Sequence, residues 1–235
     1  MKIVSWNASQ KFREKVKLFD PKAIDVLVIQ ECENTELSAE MYKAAGWDFQ
    51  WMGQNKHKGL GIFVPANDNI ESLEWAITDC YYFLPVKISN DIVILGVWTK
   101  GGKSKSVSYA AQLTRFLDNY LDKIDVERTI LIGDLNSSFN FDKKRDSHYN
   151  HTKNTSRLAE IGLQSLYHFQ NKEEQGTEAE STFYMYRHRD KPYHIDYAYL
   201  PKSYLECASI EIGRPSDWLQ HSDHVPLFID LRAQC

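Results

Sequence analysis

No run of about 18 apolar residues occurs in the chain, so no segment reads as a membrane-spanning helix. A charged-then-apolar leader is also missing, because the opening MKIVSWN turns polar within a few residues. A soluble, cytoplasmic protein with no membrane partner is the expectation. Cysteine is sparse. Cys32, Cys80, Cys207 and Cys235 form no C-x-x-C pair, which argues against a zinc ribbon or a disulfide framework and predicts reduced thiols, with Cys235 exposed. Positive charge is not in excess: the formal net charge is −4, so the field expected of a protein that grips polyanions through phosphates alone is lacking. A polyanionic substrate must therefore be met locally, by a metal or a few cations. Internal repeats, low-complexity tracts and a spare apolar stripe for a coiled coil are absent, and oligomeric state leaves no mark. What the chain does have is 43% hydrophobic and 13% aromatic residues over 235 positions, enough for a sizeable core in one domain spanning 1–235.

Nine runs read as strands: 2–6, 25–31, 59–64, 81–88, 91–98, 128–135, 181–184, 194–200 and 225–231. Between them lie helical patterns. SQKFREKVKLF puts Phe12, Val16 and Phe19 on one face; TELSAEMYKAAG stops at Gly46; YAAQLTRFLDNYL spaces Leu113, Phe116, Leu117 and Tyr120 at helical intervals. A fourth, NTSRLAEIG, has cap-like residues from Asn154 to Ser156 and a stop at Gly162. Two sheets with helices outside them make an α/β sandwich the economical arrangement. The long polar segments 99–108, 136–153 and 170–181 are candidate functional loops.

Polar groups recur where strand runs end. Asn7 follows KIVSW, Glu31 ends DVLVIQE, Asp134 and Asn136 end TILIGDLN, Asp196 lies in HIDYAYL, and Asp223 with His224 opens the last strand. Any one alone is ordinary turn chemistry; seven at strand ends are harder to dismiss. Converging carboxylates repel one another and need a cation, and the oxygen donors Asn7, Glu31, Asp134 and Asp223 suit Mg²⁺ or Mn²⁺ better than zinc. A serine-hydrolase role for Ser222 lacks the G-x-S-x-G elbow.

The ordered set SWN, IQE, GDLN, HIDY and SDH resembles the endonuclease/exonuclease/phosphatase superfamily, and the finer wording is most similar to a group of bacterial members. The resemblance implies a four-layer α-β-β-α sandwich of two mostly antiparallel sheets, DNase I-like, with the site at one edge of both. It implies a divalent-metal-dependent phosphodiesterase, most simply a nuclease acting on DNA or RNA. Carried over by position, Asn7 and Glu31 hold the metal with Asp223 close by. Asp134 orients or deprotonates the attacking water, Asn136 binds the scissile phosphate, and His224 contacts the phosphate while Asp196 holds it in orientation.

The pattern departs from the family at Trp98, in a slot where many members have His or Tyr. Indole offers one donor and no transferable proton, so either Lys100 or Tyr109 substitutes, or Trp98 stacks on a base. Ser9 replaces an acidic residue of some AP endonucleases, which disfavours a second metal there. In the loop after Asp134, His151 is the candidate for the leaving group, and zinc binding by His148 and His151 lacks a second ligand pair. The cations of KGGKSK (100–105) and DKKR (142–145) are a candidate basic rim. Two other functions stay open: a phosphatase or diesterase for a small phosphorylated metabolite, nucleotide signal or lipid, and a catalytically inactive binding module.

Overall fold

The computed structural model describes residues 1–75, 80–104, 109–142 and 148–232. Fourteen strands form two six-stranded sheets and a small hairpin. The first sheet contains β1 (Lys2–Asn7), β2 (Val26–Cys32), β3 (Trp47–Asn55), β4 (Lys58–Pro65), β13 (Ala208–Ile212) and β14 (Leu227–Leu231), in the order β13-β14-β1-β2-β4-β3. The second contains β5 (Ile70–Ser72), β6 (Phe83–Ile88), β7 (Val93–Trp98), β8 (Thr129–Asp134), β9 (Leu163–Ser165) and β12 (Asp196–Pro201), in the order β5-β6-β7-β8-β12-β9. β10 (Phe183–Tyr184) and β11 (Pro192–Tyr193) make the hairpin. Each large sheet is antiparallel except for one parallel pair near its middle, β1 with β2 and β7 with β8.

Side chains alternate along a strand, and the core divides accordingly. Between the sheets lie Ile3, Val26, Val28, Ile62, Ile130, Ile132, Ala198 and Leu200. The opposite faces carry Val4, Trp6, Leu27 and Ile29 of the first sheet, and Leu95, Leu131, Tyr197 and Tyr199 of the second. Helices cover those outer faces, giving four layers. α1 (Phe12–Lys15) and α2 (Ala39–Ala44) lie on the first sheet, where Phe12 and Tyr42 are buried. α3 (Ala110–Tyr120) lies on the second and buries Leu113, Phe116 and Leu117 on the predicted face, with Phe116 stacked 4.4 Å from Phe83. The remaining helices are α4 (His151–Glu160), α5 (Leu166–Asn171), α6 (Lys202–Leu205) and α7 (Pro215–Trp218).

Four details differ from the sequence expectation. All four sheet edges, β3, β5, β9 and β13, are strands where none is expected. The helix expected over 9–19 shrinks to α1 and a 3-10 turn at Val16–Leu18, because Ser9, Gln10 and Lys11 are all left-handed. α4 starts at His151 rather than near Asn154: Asn150 is the cap, its side-chain oxygen accepting from the Lys153 amide at 2.8 Å. Asn154 is instead buried between α3 and α4, donating to the Ala110 carbonyl and accepting from Thr114 Oγ1, both at 2.8 Å. Finally, Cys207 is disulfide-bonded, against the reduced thiols expected; Cys32 and Cys80 are free and buried, and Cys235 lies outside the described residues.

No helix among the described residues is long and apolar enough to cross a membrane.

Candidate active site

Strand parity builds the site. Ile3 and Ser5 precede Asn7 on the inner face of β1, Ile130 and Ile132 precede Asp134 on that of β8, and Ala198 and Leu200 follow Asp196 on that of β12. The polar residues therefore continue the core's own inward stripe past its last apolar member, at the one edge where both sheets end. Pairing places Asp134 opposite Asp196 and beside Trp98. At Gly133 a side chain is excluded: an added Cβ would meet the Val97 carbonyl oxygen at 1.9 Å, so the residue before Asp134 has to be glycine for β7 and β8 to pair this closely.

Asp134 is sealed from solvent. Its Oδ1 accepts from the Asn136 amide at 2.8 Å, and its Oδ2 accepts from Asn7 Nδ2 at 2.9 Å and Asn136 Nδ2 at 2.8 Å. Burial drives its carboxyl well above the usual carboxylate range, and Asp196 adds to the shift; His224 and the amide donors oppose it. His224 Nε2 is 3.9 Å from Asp134 Oδ2, and its Nδ1 donates to Asp196 Oδ2 at 2.9 Å. For His224 burial works to lower the pKa, but Asp196 and Asp134 together outweigh it and hold the imidazole in its cationic form.

Several neighbouring residues fasten the site in place. Thr182 Oγ1 accepts from the amides of Ile195 and Asp196, fixing the start of β12. Ser222, fully buried, donates to the Asn7 carbonyl at 2.6 Å and accepts from the His224 amide at 3.1 Å, so its hydroxyl shapes the loop before β14. Trp6 Nε1 donates to the His224 carbonyl at 2.9 Å.

Glu31 stands at a bulge in β2, with φ of 54°. By parity it would face away from the core between the sheets; the left-handed kink re-aims it. Its Oε2 accepts from Lys58 Nζ at 2.7 Å, a partner the sequence reading does not anticipate. Asn7, Glu31 and the Ser222–Asp223 segment lie on neighbouring strand ends, since β14, β1 and β2 are adjacent.

Three candidates need correction. Asn136 has both amide hydrogens committed, to Asp134 and to the Thr99 carbonyl at 2.8 Å, so as placed it orients Asp134 rather than offering a donor to a phosphate. Trp98 is only 3% exposed, packed 4.7 Å from Tyr82 in the core between the sheets, and has no ring face for a base. His151 is 1% exposed: Nδ1 meets Ser137 Oγ at 3.0 Å, Nε2 meets Gln175 Oε1 at 3.1 Å, and the ring packs on Tyr197. It is a buried structural histidine. His148 is exposed and pairs with Asp118, apart from His151, so no zinc pair forms. Tyr109, 48% exposed with φ of 51°, starts α3 beside Gly101, and Lys100 Nζ donates to Tyr82 Oη at 3.0 Å. Lys105 and residues 143–145 of the two basic segments lie outside the described residues.

His151 makes a stability prediction. Burial depresses its pKa from 6.5 to about 4, so the unfolded chain takes up the proton first. Stability is then full above the unfolded value and falls as acid carries the pH down toward the folded one. Between about pH 7 and about pH 5 the fold should lose roughly 2 kcal/mol through this group. Urea denaturation of wild type and His151→Gln at both pH values checks this: the variant should show a smaller pH slope.

No protein-family model and no curated protein matches the sequence. Solved structures do match the fold. An AP endonuclease from Archaeoglobus fulgidus superposes with a TM-score of 0.75 at 19% identity, covering 99% of this chain and all of that one. The chain has the DNase I-like fold. This fold is shared with the 3′ phosphatase NExo (D146N) from Neisseria bound to a product DNA hairpin, at TM-score 0.73, 20% identity and 99% coverage of both chains. The catalytic domain of Xenopus laevis APE2 also matches, at TM-score 0.66 and 15% identity, covering 100% of this chain and 95% of that one. The DNase I-like sandwich puts the Asp134, Asp196 and His224 side chains at the edge both sheets share, and their ligating atoms lie within 4.8 Å of one another.

Proposed function

We propose that this DNase I-like chain is a divalent-metal-dependent phosphodiesterase whose substrate is nucleic acid. The carrying observation is the sealed Asp134 carboxylate facing the Nε2 edge of a cationic His224, with Asp196 behind the imidazole. A base with a raised pKa and a hydrogen-bonding cation a few ångströms apart are what attack on a phosphodiester anion requires. The names of the matched structures, AP endonuclease and a 3′ phosphatase holding DNA, support the same reading.

In this mechanism Asp134 accepts a proton from the attacking water, its orientation set by Asn7 and Asn136. His224 donates from Nε2 to a phosphate oxygen, and Asp196, bonded to Nδ1, fixes the tautomer that leaves this donor available. The residues fit a hard cation. Glu31 and Asn7, with Asp223, supply oxygen donors at adjacent strand ends; Glu31 Oε2 accepts from Lys58 Nζ, Asn7 Oδ1 from the Ser9 amide at 3.0 Å and Asp223 Oδ1 from Ser222 Oγ at 3.4 Å, contacts a cation would share or displace. The Asp134–Asp196–His224 group is a poorer ligand set, because His224 is a proton donor to Asp196 and cationic. Mg²⁺ or Mn²⁺ bound there would offset phosphate charge and acidify water.

The test is hydrolysis of single- and double-stranded DNA and RNA and of bis-p-nitrophenyl phosphate, in Mg²⁺, Mn²⁺ or EDTA. EDTA should abolish turnover and either metal restore it, and Glu31→Gln should need about tenfold more metal or above. Metal-independent turnover would refute the reading. The net charge of −4 favours one alternative, a compact phosphoester substrate. Affinity that falls steeply with salt marks nucleic acid; a weak response marks the small substrate.

A further inference from the structure

We infer that the β10–β11 hairpin and the turn after β8 carry a stacking track for unpaired bases, which makes single-stranded nucleic acid the substrate class. This rests on the phosphodiesterase reading above. The track begins at the site itself: the Phe183 ring lies 4.6 Å from the His224 ring, and the two residues form an isolated strand bridge. Phe183 pairs across the hairpin with Tyr193, ring centroids 6.1 Å apart, and Tyr193 lies 5.3 Å from Phe141. Four rings thus run in sequence from His224 outward, growing more exposed along the way: His224 is 4% exposed, Phe183 and Tyr193 are half-buried, and Phe141 is 44% exposed.

The outer ring stays open. The hairpin tip is open as well. Tyr186 is 76% exposed, and it and Arg187 are held in the left-handed region, at φ of 56° and 61°, which non-glycine residues occupy at a cost. Residues 185–191 carry Arg187, Arg189 and Lys191 against a single acid, Asp190, and all four are exposed. This is a local basic segment on a chain of net charge −4. Cations beside tilted rings are the combination that holds a single strand, phosphates on one side and base faces on the other. In a duplex those faces are already stacked on each other, so a ring ladder of this kind has nothing to engage.

The experiment uses full-length Asp134→Asn protein in Mg²⁺ and fluorescence anisotropy. The probes are labelled single-stranded DNA and RNA of about a dozen nucleotides, in the range of single-strand site sizes. The same DNA annealed to its complement and a single strand of equal length with abasic sites replacing the bases complete the set. Both single strands with bases should bind more tightly than the duplex and the abasic strand. Phe141→Ala and Tyr193→Ala should each weaken single-strand binding about tenfold while barely altering the abasic strand, and Phe141→Trp should bind like the parent. Phe141 is exposed, so its truncation leaves the fold intact, and thermal melting verifies this. Duplex bound as tightly as single strand, or single-strand affinity unmoved by both truncations, overturns the track; metal-dependent cleavage of duplex by the wild type would then leave the phosphodiesterase reading standing. Hydrolysis of bis-p-nitrophenyl phosphate with no binding of any oligomer removes nucleic acid as substrate and the track with it.

Discussion

Asp134→Asn should lower turnover of a phosphodiester by roughly 10³-fold, within the range for deleting a positioned general base. The substitution keeps the shape of the side chain and removes its ability to take a proton. Because burial and Asp196 raise the Asp134 pKa, the ionised carboxylate destabilises the fold as pH rises from its unfolded value of 3.8 through the folded one. An amide lacks that charge, and its oxygen can still accept from the Nδ2 groups of Asn7 and Asn136, so that only the Asn136 backbone amide loses its acceptor. The variant should therefore melt within a few degrees of wild type while losing activity. A folded Asp134→Asn protein with near-normal turnover would show that proton transfer lies elsewhere.

His224→Ala should cost about 10²-fold or more in turnover, the scale for removing one stabiliser of developing charge. The companion variant, Asp196→Asn, has a sharper signature. Asp196 is the largest of the influences that raise the His224 pKa, and its removal lets the imidazole lose its proton at lower pH. The alkaline limb of the pH–rate profile should move toward acid in Asp196→Asn, and further than in Asp134→Asn, which removes the smaller of the two charges that support the imidazolium. An alkaline limb unmoved by Asp196→Asn would mean that it reports another group.

Comparison of these residues with the sequence shows where the reading works and where it stops. All eight interior strands of the two sheets are legible as apolar runs, because each has neighbours on both sides and buries at least one full face. All four edge strands are illegible. β3 (Trp47–Asn55) is mostly half-exposed, β5 and β9 have three residues each, and β13 alternates buried and exposed over only five. Their strand character comes from the neighbour they pair with. The same division holds in the site. Asp134, Asp196 and His224 stand at ends of interior strands, where a polar residue interrupts an apolar pattern and so announces itself. Trp98 and His151 owe their burial to Tyr82, Ser137, Gln175 and Tyr197, contacts between distant segments that no local pattern records. Asn136 is legible as a site residue, but not its role, because its amide is taken up by Thr99.

β14 lies between β13 and β1, and it brings His224 and Ser222 to Asn7 across more than 200 residues of chain. A growing polypeptide still on the ribosome therefore has Asn7, Glu31, Asp134 and Asp196 in hand but no imidazole beside them until the segment from Ser222 to Leu231 has emerged and inserted. Pairing over such separations is slow to nucleate. The imidazole thus reaches the carboxylates only once β14 has paired with β1, and opening of that one strand pair is enough to part His224 from Asp134.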